Sequence, residues 1–476
     1  MINTILIFPI IACLIMIFVK NKAFNTFLVS AYSVIHFVMT MLIAFGVGNK
    51  TPNVYFGIDN TNLIFLIVLS FIFLMVAFYN NGYVKTFNFS DKKIRNYSMM
   101  ILVFVLSMTG TILSTDLGLS WILIEATTLS SAYLIYFNRT KHSIEAAWKY
   151  VFICSIGIAL AFVGIILLNI STGSVNTLNF EELYKFASDF NQNWLKLSFI
   201  FILFGFGAKM GLAPIHFWLP DAHSEAPSVI SALLSATLLN SAFLVIVRVF
   251  KIMLIANCES YAQFMLLLMG FLSMFVTAVF VYHIKNYKRM LAYSSIENMG
   301  IMAIGLALGG VAYYAVILHL IGHSLAKASF FLTSGNILKL YDTKKIDSVT
   351  ALVNSDGKTG WLWIISFLAI CAFPTSVLFI SEFLMVKTMI LQEHFVLCAL
   401  FVILLTIILY GIGKAVVKMA FGEVNTDKAP YIQENKSKVS FWMYFPQYLM
   451  LILVFVFGVY VPKFLNDIIK ITLAGF

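Results

Sequence analysis

Residues 204–220 read FGFGAKMGLAPIHFWLP. Gly205, Gly207, Gly211 and Pro214 interrupt an apolar run, and Lys209 stands in its middle. Proline removes a backbone donor and kinks or breaks a helix. A broken helix at membrane depth is tolerated only where protein or a wet cavity surrounds it. An isolated charge at the centre of a membrane helix costs about 2.5–3.5 kcal/mol. A lysine and a helix break at one place therefore require a segment enclosed by other helices and facing a polar interior.

The rest of the chain has the matching character. It has 476 residues, 61% hydrophobic and 11% charged, against about 25% charged in soluble proteins. Apolar runs recur from end to end, which predicts an all-α polytopic membrane protein. The segments span about 3–19, 24–46, 62–79, 97–114, 117–137, 145–170, 195–219, 227–256, 262–284, 289–310, 312–339, 360–392, 396–422 and 441–466, fourteen in all. The longest polar stretches, 80–96, 171–196, 340–358 and 423–440, read as connectors. The run from Ile5 to Val19 has no basic residue before it and no small-residue cleavage site after it, so it reads as a retained first helix.

The net charge of +10 is a matter of topology and not of nucleic-acid binding. Of 31 Lys and Arg residues, 20 fall on one set of alternate loops, among them Lys288 and Arg289, and 8 on the other, among them Arg248 and Lys251. The positive-inside rule makes the richer side cytoplasmic and places both termini outside, at a bacterial inner membrane. The three left over (31 − 20 − 8) are Lys149, Lys209 and Lys327. The five cysteines have no CxxC spacing, which argues against iron–sulfur ligation on this chain.

A second segment is interrupted. Residues 364–383, IISFLAICAFPTSVLFISEF, carry Pro374, 160 residues after Pro214 (374 − 214). That offset suggests a five-helix repeat, 97–256 followed by an inverted copy, 257–422, with helices 1–3 in residues 1–96 and a loop and helix 14 in 423–476. Inverted repeats with one broken helix each mark ion paths in transporters.

Six charges lie inside apolar segments: Glu125, Lys149, Lys209, Glu297, Lys327 and Glu382. Together they would cost about 15–20 kcal/mol in lipid, so they must face a hydrated or paired interior. Glu125 is expected either to be satisfied by a neighbouring helix or to pair with a buried lysine. Lys149 follows Glu145 by one turn, so a local ion pair competes with a swing between Glu145 and Glu125. A buried lysine such as Lys209 can hold or release a proton near physiological pH. His319, His323 and Lys327 follow at i, i+4 and i+8 on one helix face. The stripe reads as a lined water path or as a plain buried polar stripe; a metal site would lack the glutamate of HExxH. Asp221, His223 and Glu225 in LPDAHSEAPS are either a solvated turn or a proton-collecting mouth, with Glu145 and His216 as further candidates.

The strings KMGLAPIHFWLPDAHSEAPSVISALLS (209–235), KRMLAYSSIENMG (288–300), HLIGHSLAKASFFLTSGNIL (319–338) and WILIEATTL (121–129) with EAAWKY (145–150) resemble the antiporter-like subunits of complex I, Mrp antiporters and group 4 membrane-bound nickel–iron hydrogenases. IEATTLSSAYL (124–134) and LPDAHSEAPSVISALLSATLLN (219–240) look most like the large membrane subunit of hydrogenase-4 and formate-hydrogenlyase complexes. The resemblance implies fourteen helices, a Glu125–Lys209 pair on helices 5 and 7, a helix 11 connection through His319, His323 and Lys327, and Glu382 as the terminal residue on helix 12. Where some relatives carry a helix 8 lysine, this chain has Asn240, so a relay there needs water or His216.

The expected function is proton or sodium translocation by a non-catalytic membrane subunit of a redox-driven, hydrogenase- or complex I-like complex. This chain has no dinucleotide or Walker motif. Iron–sulfur clusters, with a nickel–iron centre or a flavin, would sit on peripheral partner subunits. The alternative is a subunit of an Mrp-type cation/proton antiporter without redox chemistry.

Overall fold

The computed structural model describes residues 1–47, 55–86, 89–173, 175, 177–423, 429–436 and 439–475. Lys50, Lys428 and Lys438, which the charge count places in loops, lie outside the described residues.

The described residues are helical throughout, with no strand beyond isolated bridges. The first seven helices are α1 (Ile2–Phe18), α2 (Lys22–Ala44), α3 (Asn62–Thr86), α4 (Asp91–Leu113), α5 (Leu117–Ile135), α6 (Lys141–Ser171) and α7 (Phe180–Phe186). The middle of the chain gives α8 (Gln192–Met210), α9 (Trp218–Glu225), α10 (Ser228–Leu233), α11 (Leu239–Ile255), α12 (Glu259–Val281), α13 (Tyr287–Leu308) and α14 (Val311–Tyr341). Then follow α15 (Leu352–Ser355), α16 (Gly357–Ile370), α17 (Val377–Leu391), α18 (Phe395–Ala420), α19 (Ala429–Lys436), α20 (Phe445–Val459) and α21 (Lys463–Leu473). Among them, 11 continuous helical stretches are long and apolar enough to cross a membrane.

Short polar side chains start the helices, because the first backbone N–H groups have no partner within the helix. Asp116 caps α5 through Leu119 N at 2.9 Å, and Asn286 caps α13 through Lys288 N at 2.9 Å. Thr140 and Ser143 satisfy each other's backbone at the start of α6.

The spans of α10–α11, α13 and α14 are enclosed on all sides, whereas α2, α6 and α18 present much of their surface outward. The polar stripe of α14 therefore runs through the centre of the bundle. Between α6 and α8 the backbones approach closely through small residues: Gly157 and Gly164 meet Ala208, Ile202 and Ser198, and Gly205 meets Ala161.

Both expected breaks are present. α8 ends at Gly211, whose φ of 84° lies in the left-handed region, and the chain resumes as a helix only at Trp218. The freed backbone groups are reused: Ala213 N–H donates to Ser273 Oγ at 2.9 Å and Trp218 Nε1 donates to the Ala208 carbonyl at 2.8 Å. The second break, between α16 and α17, has Ala372 and Thr375 at positive φ. Gly458 of α20 lies against the Thr375 carbonyl where a Cβ would collide with it. A third irregularity has no sequence signal: a π-helical turn, Leu234–Leu238, joins α10 to α11. Such turns re-aim side chains and occur often at functional sites.

Candidate functional site

Buried polar side chains gather at two places in the bundle, around Lys209 and around Lys327. At one flank, Glu125 of α5 accepts hydrogen bonds from Thr128 Oγ1 at 2.9 Å and Ser155 Oγ at 3.2 Å. Glu125 is half-buried and makes no ion pair among the described residues. Lys209 is fully buried. Its Nζ donates to the Tyr150 hydroxyl at 2.8 Å, and that hydroxyl shares a 2.6 Å hydrogen bond with Ser131 Oγ. Glu125 acts on Lys209 electrostatically without touching it. Tyr150 packs at a tilt against Trp218, 4.9 Å between ring centroids, and Trp218 closes the break behind Lys209.

At the centre, Lys327 of α14 is fully buried and donates to the Leu291 carbonyl of α13 at 2.8 Å and to Ser294 Oγ. One turn earlier on α14, both ring nitrogens of His323 are buried without a protein partner. A further turn away, His319 contacts Asn298 Oδ1 at 3.0 Å and Ser381 Oγ at 2.9 Å. Ser381 precedes Glu382, so the network runs from α13 through α14 to α17. Glu297 is buried and within the field of Lys327. Glu382 is half-buried and reaches the far flank of the bundle. Asn240, just past the π turn, donates to Ser324 Oγ at 2.8 Å and leaves its own carbonyl oxygen unpartnered. No hydrogen bond joins it to His216 among the described residues; the His216 ring, also buried and unpartnered, lies in the break after α8.

Lys149 is placed differently from its position in the apolar pattern. Its side chain is 46% exposed and bound to Glu145 at 2.6 Å and Asp221 at 3.2 Å. The first turns of α6 form a polar rim, so Lys149 sits in a surface ion cluster and not beside Glu125. Arg289 completes the cluster with Asp221 at 3.1 Å, and Lys344 binds Glu225 at 3.0 Å. His142, Glu145, Lys149, Asp221, Ser224, Glu225 and Arg289 line a cavity of about 280 Å³. His223, behind the rim, is fully buried with both ring nitrogens unpartnered.

Two basic residues assigned to loops by charge counting are interior. Lys288 is fully buried and donates to the Ala226 carbonyl at 2.5 Å. Arg248 is buried at the opposite end of the bundle, where it donates to the Ser114 carbonyl at 2.8 Å and pairs with Asp59 at 2.6 Å. Burial raises the affinity of Asp59 for a proton, but the Arg248 guanidinium and the donors of Thr61 and Asn62 outweigh it and hold the carboxyl below its usual range. Tyr150 and the Ser294–Asn298 pair of α13 were also not singled out by sequence; a hydroxyl or amide inside an apolar run carries no signal of what it touches.

Residues 114–408, more than half of the chain, match the NADH:quinone oxidoreductase/Mrp antiporter transmembrane family. The chain belongs to this family. Over 472 residues it is 33% identical to a hydrogenase-4 component F homolog of Methylacidiphilum infernorum (isolate V4), covering 96% of each. It is 24% identical over 470 residues to a Na(+)/H(+) antiporter subunit of Bacillus subtilis (strain 168), covering 95% of this chain and 92% of the relative. Its fold matches a chain of the archaeal membrane-bound sulfane sulfur reductase complex with a TM-score of 0.88 at 22% identity, covering 99% of this chain and 97% of that one. The protein is an antiporter-like, multi-pass membrane subunit.

Proposed function

We propose that this subunit translocates protons within a redox-driven membrane complex of the hydrogenase-4 type. The observation that carries the reading is the buried run from Lys327 through Ser294, Asn298 and His319 to Ser381 beside Glu382. It links three helices by hydrogen bonds, with Lys327 and His319 as its titratable members, and Lys209 is a second buried lysine in the same bundle. The unpartnered nitrogens of His323 and His223 are places where water would complete the path, since buried polar groups require partners.

The eleven spans, α1 and the two broken pairs α8–α9 and α16–α17 make fourteen crossings (11 + 1 + 2). In the inverted-repeat reading, α4–α11 and α12–α18 are the two copies. Glu125 then corresponds to Glu297, and Lys209 to Glu382. The rim of Asp221, Glu225, Lys149 and Arg289 faces the cytoplasm, both termini face outward, and the membrane is the bacterial inner membrane. A shift of Glu125 relative to Lys209, imposed by a partner, would move the Lys209 proton toward Lys327, the histidines and Glu382.

Glu125 and Glu382 both reach the bundle surface, where a carboxylate facing lipid is costly. Neighbouring subunits over those two faces would remove that cost. Iron–sulfur clusters and a nickel–iron centre or flavin belong on peripheral partners in this reading. The second reading, an Mrp-type antiporter subunit, rests on the similarity to the Bacillus subtilis antiporter protein. Mass spectrometry and metal analysis of the gently solubilised assembly separate the two: nickel- and iron-bearing partners support the first, and an assembly without redox centres that exchanges cations for protons supports the second.

A further inference from the structure

Lys288 stands apart from the rim of ion pairs. Lys288 and Arg289 are adjacent at the start of α13 but face opposite ways. Arg289 reaches outward to Asp221 at 3.1 Å, whereas Lys288 is fully buried with its Nζ on the Ala226 carbonyl at 2.5 Å. Ala226 ends α9, so one role of Lys288 is to close that helix, where a cation is favourable. A neutral amide would keep the hydrogen bond to that carbonyl. Glu225, the carboxylate that acts on Lys288, is already held by Lys344 at 3.0 Å.

Further inward comes His223. Its ring stacks on Phe331 of α14 with 4.8 Å between centroids, both its nitrogens lack a protein partner, and both Lys288 and Lys327 act on it electrostatically. Lys327 is bonded to the Leu291 carbonyl and to Ser294, three and six residues after Lys288 and so within two turns of it along α13. The polar groups between the rim and Lys327 thus pass a buried ammonium.

We propose that Lys288 and His223 form an inlet filter that passes protons from Asp221 and Glu225 to Lys327 and excludes metal cations. This rests on the proton-translocation reading above. An ammonium can give its proton to His223 and, once His223 has released it toward Lys327, take another from the rim: at each transfer one bond to hydrogen breaks and one forms, and the site carries a single charge throughout. A sodium ion cannot be exchanged in this way. It would have to rest beside the ammonium, and it needs several oxygen ligands where Lys288 occupies the Ala226 carbonyl.

The test uses the assembled complex in inverted membrane vesicles, driven by its electron donor, with proton uptake and radioactive sodium uptake measured together. The wild type is expected to take up protons and no sodium. Lys288→Gln keeps a donor for the Ala226 carbonyl and is expected to raise sodium uptake about tenfold or more above background while lowering proton uptake. Lys288→Arg keeps a charge that does not titrate and is expected to stay sodium-tight while losing proton uptake. His223→Glu leaves Lys288 in place and offsets its field, so it is expected to admit sodium even if Lys288→Gln fails to assemble. Sodium-tight Gln and Glu variants with wild-type proton uptake would overturn the filter alone. Turnover-driven sodium uptake by the wild type would overturn the filter and the proton reading together.

Discussion

Lys209 of α8 donates to the Tyr150 hydroxyl of α6 at 2.8 Å, and that hydroxyl lies 2.6 Å from Ser131 of α5. Three helices thus meet on one phenol, with Glu125 nearby but not in contact. A hydrogen bond to a charged group contributes about 1.5–3 kcal/mol. Tyr150→Phe is therefore expected to lower turnover-driven proton uptake about tenfold or more, with assembly and electron transfer retained. Fluorescence quenching of a pH dye in inverted vesicles reads the first, and donor oxidation reads the second.

His323 separates stability from function. Both its nitrogens are buried without protein partners, so its replacement by leucine breaks no hydrogen bond within the protein. His323→Leu is expected to leave the melting temperature in detergent unchanged or raised, and to reduce proton uptake. A stabilised variant with wild-type uptake would remove His323 from the path.

The α6–α8 contact is expected to be intolerant of volume. A Cβ at Gly205 would lie 2.5 Å from Ala161 Cβ and 2.6 Å from the Gly157 carbonyl oxygen, so backbone, not a flexible side chain, must yield. Gly205→Val is expected to destabilise by about 3 kcal/mol, the upper end for overpacking. Denaturant or thermal unfolding followed by tryptophan fluorescence checks this, with Gly173→Val, which meets open space but has a φ of 64°, as a milder comparison.

The Asp59–Arg248 pair sets an acid limit. Because Arg248 holds the Asp59 carboxyl below its usual range, the stability from this pair is fully present above the unfolded-state value of about 3.9. It is lost as pH falls through the lower folded-state value. Asp59→Asn is expected to cost about 2–3 kcal/mol at neutral pH. That is below the roughly 3–5 kcal/mol of a fully enclosed pair, because the Asp59 side chain is 48% exposed. The difference between variant and wild type should shrink as pH falls below about 4. A pH series of unfolding midpoints measures it.

Much of this was legible in the sequence, for reasons that differ by residue. The Gly–Pro punctuation around Lys209 located the break after α8, and helical spacing put His319, His323 and Lys327 on one face. Lys149 was misplaced because hydropathy registers composition and not depth: α6 carries its apolar character out into a rim where Glu145 and Asp221 wait. Lys288 looked like its neighbour Arg289, yet one residue turns a helix by about 100°, enough to send one inward and the other out. Arg248 finds Asp59 across 189 residues, a separation no local pattern spans. The π turn that precedes Asn240 has no composition of its own.

The central claim is that the buried lysines carry protons. The direct measurement is the ratio of protons taken up to electrons transferred by the assembled complex in inverted vesicles, for the wild type, Lys209→Ala and Lys327→Ala. The account predicts that each variant transfers electrons while its proton ratio falls by the share this subunit contributes. Wild-type ratios in both variants, in complexes of wild-type composition, would contradict it.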